Sequence, residues 1–232
     1  MRTYQSVVAR AGAVLGMAVV LALGTAVPAD AALMLHLDDG AGNTATVVDG
    51  NLDGVVMFNG VLGVWSVNVS TGLSKPALNN SPVTAKMDLN SVNLSTAPST
   101  LTILLTDTDF LPALPGTLTG RVGGTTNGSA SFSACKNDSN VEFDVVDCEA
   151  SVSLGPFAAG AFSGTDSAGH GAIGAYAMTL IATITHGAGQ QLTSFDFELT
   201  NVPEPATLAL FGVGLLGAGI ASRRRRKAQQ VA

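Results

Sequence analysis

Residues 175–186 read AYAMTLIATITH, and their apolar side chains fall on alternate positions: Tyr176, Met178, Leu180, Ala182 and Ile184. A period of two marks an extended strand, because successive side chains point to opposite faces of a sheet. The length and greasiness of the run predict a strand in the middle of a sheet rather than at its edge.

The same pattern recurs outward from this stretch. In TSFDFELT (193–200) Phe195, Phe197 and Leu199 oppose Ser194, Asp196 and Glu198. TLTILLT (100–106) sets Leu101, Ile103 and Leu105 against Thr102, Leu104 and Thr106. TATVV, GVVMF, GVWSVNVS, SASFSA, VEFDVV and ASVSLG read as further strands. DDGAGN, DGNLDG, KPALNNSP and RVGGTTNGS read as the turns between them. No helical stripe longer than two turns interrupts the series. Many short alternating strands predict an all-β body, a single antiparallel β-sandwich with one core. A β-barrel or a β-helix are the alternatives, and the lack of a fixed-period repeat weighs against the helix. Trp65, the one tryptophan, is expected in that core beside Val67 and Val69 rather than on a sugar-binding surface.

Charge divides the chain unevenly. Of 232 residues, 47% are hydrophobic and only 12% charged, with 27 glycines. Between Ala32 and Val202 stand four cations (Lys75, Lys86, Arg121, Lys136) against fifteen carboxylates, a net of −11. A body so acidic, without a basic patch or a phosphate-cradling loop, is not a nucleic-acid binder. The remaining cations lie at the ends. Arg2 and Arg10 precede the apolar run AGAVLGMAVVLALGTAV and the small-x-small triplet Ala29-Asp30-Ala31. That order predicts a signal peptide over 1–31, exported by a Sec translocon and cut by signal peptidase after Ala31; an uncleaved anchor is the other possibility.

The C-terminus mirrors it. After Val202-Pro203-Glu204-Pro205 come sixteen uncharged residues, 206–221, and then Arg223, Arg224, Arg225, Arg226 and Lys227. As a helix the uncharged run would rise about 24 Å, enough to span an inner membrane if the flanking cations snorkel to the headgroups. The cationic cluster should then stop transfer and stay on the cytoplasmic side. Pro203 and Pro205 prevent the helix from extending back through them, so 202–205 is expected to be an extended hinge between body (32–201) and tail (202–232).

This V-P-E-P motif, short apolar helix and terminal arginine cluster resemble the PEP-CTERM sorting signal. The resemblance implies recognition by exosortase, a membrane-embedded cysteine peptidase/transpeptidase. It implies removal of the tail at or near the motif, transient residence in the inner membrane with the body in the periplasm, and a final place at the cell surface or in exopolysaccharide and biofilm material. The stretch STGLSKPALNNSPVTAKMDLNSVNLS with TLTILLTDTDF is also similar to bodies of other such proteins, and supplies no catalytic residue.

Chemistry in the body has few candidates. Cys135 and Cys148, both exported, predict a disulfide. A nucleophilic thiol or a metal pair would need a histidine nearby, and His36, His170 and His186 are all distant in sequence. In DGNLDG, Asp49, Asn51, Asp53 and Gly54 match the first half of a calcium loop, while Gly60 occupies the twelfth position, where a bidentate Glu is expected. The other reading is a plain hairpin turn. Glu142, Asp144, Asp147 and Glu149 crowd around Cys148 and could serve acid/base work. Ser163, Asp166, Ser167 and His170 cluster in FSGTDSAGHG, yet the G-x-S-x-G elbow of a hydrolase is missing. The expectation is a non-enzymatic surface protein without a required cofactor. A polysaccharide-binding or adhesive module, calcium-dependent or not, is the alternative.

Overall fold

The computed structural model describes residues 33–78, 84–111, 115–171 and 174–203. The predicted signal peptide with Ala29 and Ala31, the segment 206–221 and the cluster Arg223–Lys227 lie outside them.

Twelve strands form among the described residues. They are β1 (Met34–Asp38), β2 (Thr44–Val48), β3 (Val55–Leu62), β4 (Trp65–Leu73), β5 (Ala85–Ser95) and β6 (Ser99–Phe110). The second half adds β7 (Gly116–Thr126), β8 (Ser129–Asn137), β9 (Ala150–Phe157), β10 (Gly160–His170), β11 (Tyr176–His186) and β12 (Gln191–Pro203). They make two six-stranded antiparallel sheets, β2-β1-β6-β11-β8-β9 and β10-β7-β12-β5-β4-β3. The all-β expectation holds. β11 is an inner strand, paired with β6 and β8, as its unbroken apolar run requires.

The two inner faces supply the core. Leu101, Ile103 and Leu105 of β6 and Met178, Leu180, Ala182 and Ile184 of β11 are buried, facing Phe195, Phe197 and Leu199 of β12. Phe132 of β8 bridges the layers, with its ring 4.9 Å from Phe195 and 5.5 Å from Phe197, both edge-on. Such pairs add to area burial through the favourable edge-to-face quadrupole. Trp65 is fully buried with Val67 and Val69, and its ring lies 4.6 Å from that of His186.

Two segments differ from their sequence reading. VEFDVV (141–146) is not a strand: it lies in the irregular loop 138–149, where Asn140, Phe143 and Asp147 adopt positive φ and break the ladder. RVGGTTNGS is not mainly a turn, because Arg121–Thr126 belongs to β7 and only the residues around Asn127–Gly128 reverse the chain. Gly123 and Gly124 of that strand differ in the room a side chain would find, as shown below.

Polar residues close the sandwich at both ends. At one end His186 contacts the Ser95 hydroxyl through Nδ1 and the Thr193 hydroxyl through Nε2, each at 2.7 Å, and burial lowers its pKa. At the other end Lys75 donates to Asp107 at 3.0 Å and to the carbonyl of Thr108, beneath the ring of Phe110. Phe110 stacks on Tyr176, whose other contacts lead to the site described next.

Candidate functional site

β12, the last strand of the body, is paired on both sides. β12 is central: Gln191–Asn201 pairs with β5 and Thr193–Pro203 with β7. Its alternation sends Asn201 inward, where it is buried. Its Nδ2 donates to the Tyr176 hydroxyl at 3.1 Å, and its Oδ1 lies 2.6 Å from Nε2 of His170. The other ring nitrogen of His170 lies 2.7 Å from the carbonyl of Gly171. Above this ring sits the ammonium of Lys136, 3.2 Å from both nitrogens and 4.2 Å from the centre of the Tyr176 ring. Burial pulls the Lys136 pKa down to about 8, and Glu149 partly opposes that shift. Burial likewise pushes Tyr176 up to about 12.

The pairing continues one step past Val202, with Val202 opposite Thr117 and Pro203 opposite Gly116. Val202 and Pro203 are therefore the last two rungs of the β12–β7 ladder rather than part of a free hinge. Pro203 is tolerated there because a strand end can dispense with one ladder donor. Glu204 and Pro205 lie outside the described residues.

A second feature occupies the outer face of the same sheet. Ser163 of β10, Gly123 of β7, Asp196 of β12 and Asn90 of β5 form one cross-strand row; Thr165, Arg121, Glu198 and Asp88 form the next. Because Gly123 carries no side chain, the face sinks into a groove of about 690 Å³ lined by Arg121, Gly123, Ser163, Thr165, Asp196 and Glu198. A neighbouring hollow of about 310 Å³ shares Gly123 and Asp196 and reaches Asn90 and Ser194. Burial, then Asp196 and Glu198, raises the Asp88 pKa to about 6. Lys86 lies 3.8 Å from Glu198, and both side chains are exposed.

The remaining candidates separate. Cys135 and Cys148 are joined as a disulfide, tying β8 to the end of the 138–149 loop. Asp144 caps that loop, accepting from the Ser139 hydroxyl at 2.7 Å and the Val146 amide at 3.0 Å. Glu149 accepts from the Gly171 amide at 3.4 Å instead of facing another carboxylate. Ser163, Asp166, Ser167 and His170 all fall on β10. There the two serines point outward, Asp166 binds the amides of Ser153 and Ser167, and His170 turns to Asn201, so no triad forms. Asp49 accepts from the Gly54 amide at 2.7 Å, and Asn51 donates to Asp53 at 2.9 Å. No group of three or more His, Cys, Asp or Glu suited to a metal occurs among the described residues.

Comparison with known proteins bears on the tail. The chain carries the PEP-CTERM protein-sorting motif over residues 201–226. That motif marks an exported protein directed to exosortase and onward to the surface or the extracellular space. No curated protein matches the chain. Among solved structures, the carbohydrate-binding module TmCBM61, determined with beta-1,4-galactotriose, is 11% identical, with a TM-score of 0.30, covering 59% of this chain and 88% of that one. The K1 cleaved adhesin domain of Lys-gingipain from Porphyromonas gingivalis W83 is 10% identical, with a TM-score of 0.28, over 65% of this chain and 98% of that one. The K3 domain of the same protein is 14% identical, with a TM-score of 0.31, over 63% and 96%. Likeness at this level carries nothing about ligand or activity.

Proposed function

We propose that this chain is a non-enzymatic component of the cell surface or extracellular matrix, delivered as an exosortase substrate. In this reading the Sec translocon and signal peptidase release the N-terminus. The tail holds the body at the inner membrane, and exosortase then removes the tail. The single observation that supports it most is the arrangement at β12: a folded, disulfide-closed body ends where the matched motif begins. Mass spectrometry of the C-terminus, with exosortase active and deleted, tests it. Loss of the tail is expected only in the active strain, and an intact tail in both would overturn the proposal.

The grooved face of β10-β7-β12-β5 favours a second reading, contact with exopolysaccharide. Its volume is that of a small-ligand cleft. Carboxylates, an amide, hydroxyls and Arg121 can accept from and donate to vicinal sugar hydroxyls. Asp88, Asp196 and Glu198 would repel an acidic polymer, so the ligand of this reading is a neutral glycan. Titration of the protein with neutral and uronate-rich matrix fractions tests it: heat with the neutral fraction is expected, and silence with both would refute it.

A further inference from the structure

We propose that the turn between β2 and β3, residues 49–54, is a calcium site whose ligands are the side chains of Asp49, Asn51 and Asp53. This goes beyond sorting and holds whichever reading of the body is right. The residue order D-x-N-x-D-G places oxygen donors at the first, third and fifth positions and a glycine at the sixth. The fold completes the resemblance at that sixth position. Gly54 has φ +78°, and its amide donates to Asp49 Oδ2 at 2.7 Å, which draws the first carboxylate into the loop. A side chain at 54 would meet the Lys75 carbonyl at 2.6 Å, so glycine is required there.

The observation that points to a ligand is separate from this turn geometry. Asp49 is 5% exposed, and its Oδ1 is a buried oxygen without a hydrogen-bond partner. A buried carboxylate oxygen left unpaired is costly, and a cation in the loop would satisfy it. Since Oδ2 of the same carboxylate is fixed on Gly54, Oδ1 is held at the turn. Asn51 and Asp53 stand on the same turn, where the Asn51 amide donates to Asp53 Oδ2 at 2.9 Å and the Val55 amide to Asp53 Oδ1 at 3.0 Å. Both residues are exposed, so each can turn a lone pair to a cation that enters from solvent.

The donor set selects the metal. All three side chains offer oxygen and none offers nitrogen or sulfur as zinc prefers. With Gly60 in place of the bidentate Glu, the shell must be filled by water. Calcium accepts such an irregular shell of six to eight oxygens more readily than magnesium, which demands an octahedron. The missing carboxylate puts the affinity in the weak extracellular class, Kd on the order of 10⁻⁴–10⁻³ M. Outside the cell such an affinity suffices for a structural clamp between β2 and β3, edge strands of the two different sheets.

The full-length chain, purified in detergent and stripped with chelator, is titrated with CaCl₂ by calorimetry and melted with and without 10 mM CaCl₂. Choline chloride serves as the ionic-strength control. A saturable heat and a rise in Tm of roughly 3–10 °C are expected from mass action on the folded state. Asn51→Ala and Asp53→Ala, both exposed and outside the core, should fold with unchanged Tm in chelator and lose the calcium response at least tenfold. Absence of heat and of a Tm rise in the unmodified chain overturns the proposal. So does a calcium response that survives both substitutions, or one reproduced by the control salt.

Discussion

The side-chain oxygen of Asn201 lies 2.6 Å from Nε2 of His170, inside the protein, at the first residue of the sorting motif. The body's hydrogen-bond network thus extends into the signal that directs its processing. Replacing Asn201 by Ala strips a partner from both His170 and the Tyr176 hydroxyl. Stability should fall by about 1–3 kcal/mol, since buried polar groups left unpaired bear a desolvation cost that no hydrogen bond offsets. A thermal melt would show the loss as a lower Tm, and an unchanged Tm would contradict the role given to this contact.

Lys75 and Asp107, 4% and 0% exposed, join the two sheets at the same end. Burial raises the Asp107 pKa, while Lys75 and the Ser74 hydroxyl act in the opposite direction. Lys75→Met leaves that carboxylate without its cation and should cost about 3 kcal/mol, whereas Lys75→Met with Asp107→Leu should recover most of it. Urea denaturation of the two variants measures the difference.

Asp88 carries a pH dependence of opposite sign to that of most acids. Its folded pKa, about 6, lies above the unfolded value near 3.8, so the folded state holds the proton more tightly. Its contribution is present in full below the unfolded value and is lost as pH rises through about 6. Asp196 and Glu198 repel its charge, and Lys86 and Arg121 lie on the same face. Asp88→Asn should therefore stabilise the protein at pH 7.5 by about 1 kcal/mol, after allowance for solvent screening of a half-exposed group, and leave it unchanged at pH 3.5. Paired melts at the two pH values check the sign.

Adjacent glycines in β7 should respond in opposite ways. A Cβ on Gly124 would sit 2.2 Å from the Ser194 carbonyl oxygen and 2.9 Å from the Phe195 Cα, both backbone, so Gly124→Ala should cost about 1–3 kcal/mol. At Gly123 the nearest atom is 4.0 Å away. Gly123→Trp should keep the Tm within 2 °C or so of the parent, fill the groove and abolish glycan heat. Retained glycan binding in that variant would move the contact elsewhere.

Opening the disulfide releases a loop with a sequence separation of 13. Cys135→Ser with Cys148→Ser should lower stability by about 3 kcal/mol on the chain-entropy account. Chemical denaturation of oxidised and reduced protein gives the same comparison without substitution.

The strands legible in the sequence are those whose alternation is driven by burial against the opposite sheet. Met178 to Ile184 and Phe195 to Leu199 declare their face by size alone. β7 and β10 escaped because their outward positions are mostly Gly, Ser and Thr, the residues that also build turns. β1 and β5 escaped as well, the first being short and the second alternating Ser and Asn with its apolar residues. VEFDVV misled for the converse reason. It alternates, yet no strand pairs with it, and Phe143 instead turns its ring towards His36, 5.8 Å away. The buried sets Lys75–Asp107 and Lys136–His170–Asn201 could not be read locally, since each is assembled across two sheets from residues far apart in the chain. The turn at Asp49 was visible as a pattern, but the unpaired oxygen that gives it chemical meaning exists only in the fold.

Because β12 lies between β5 and β7, a tug on the C-terminus runs along two ladders at once, and both must slide rather than peel. Hydrogen bonds loaded in that way break together. Held by this end, the protein would meet flow or drag with both ladders at once.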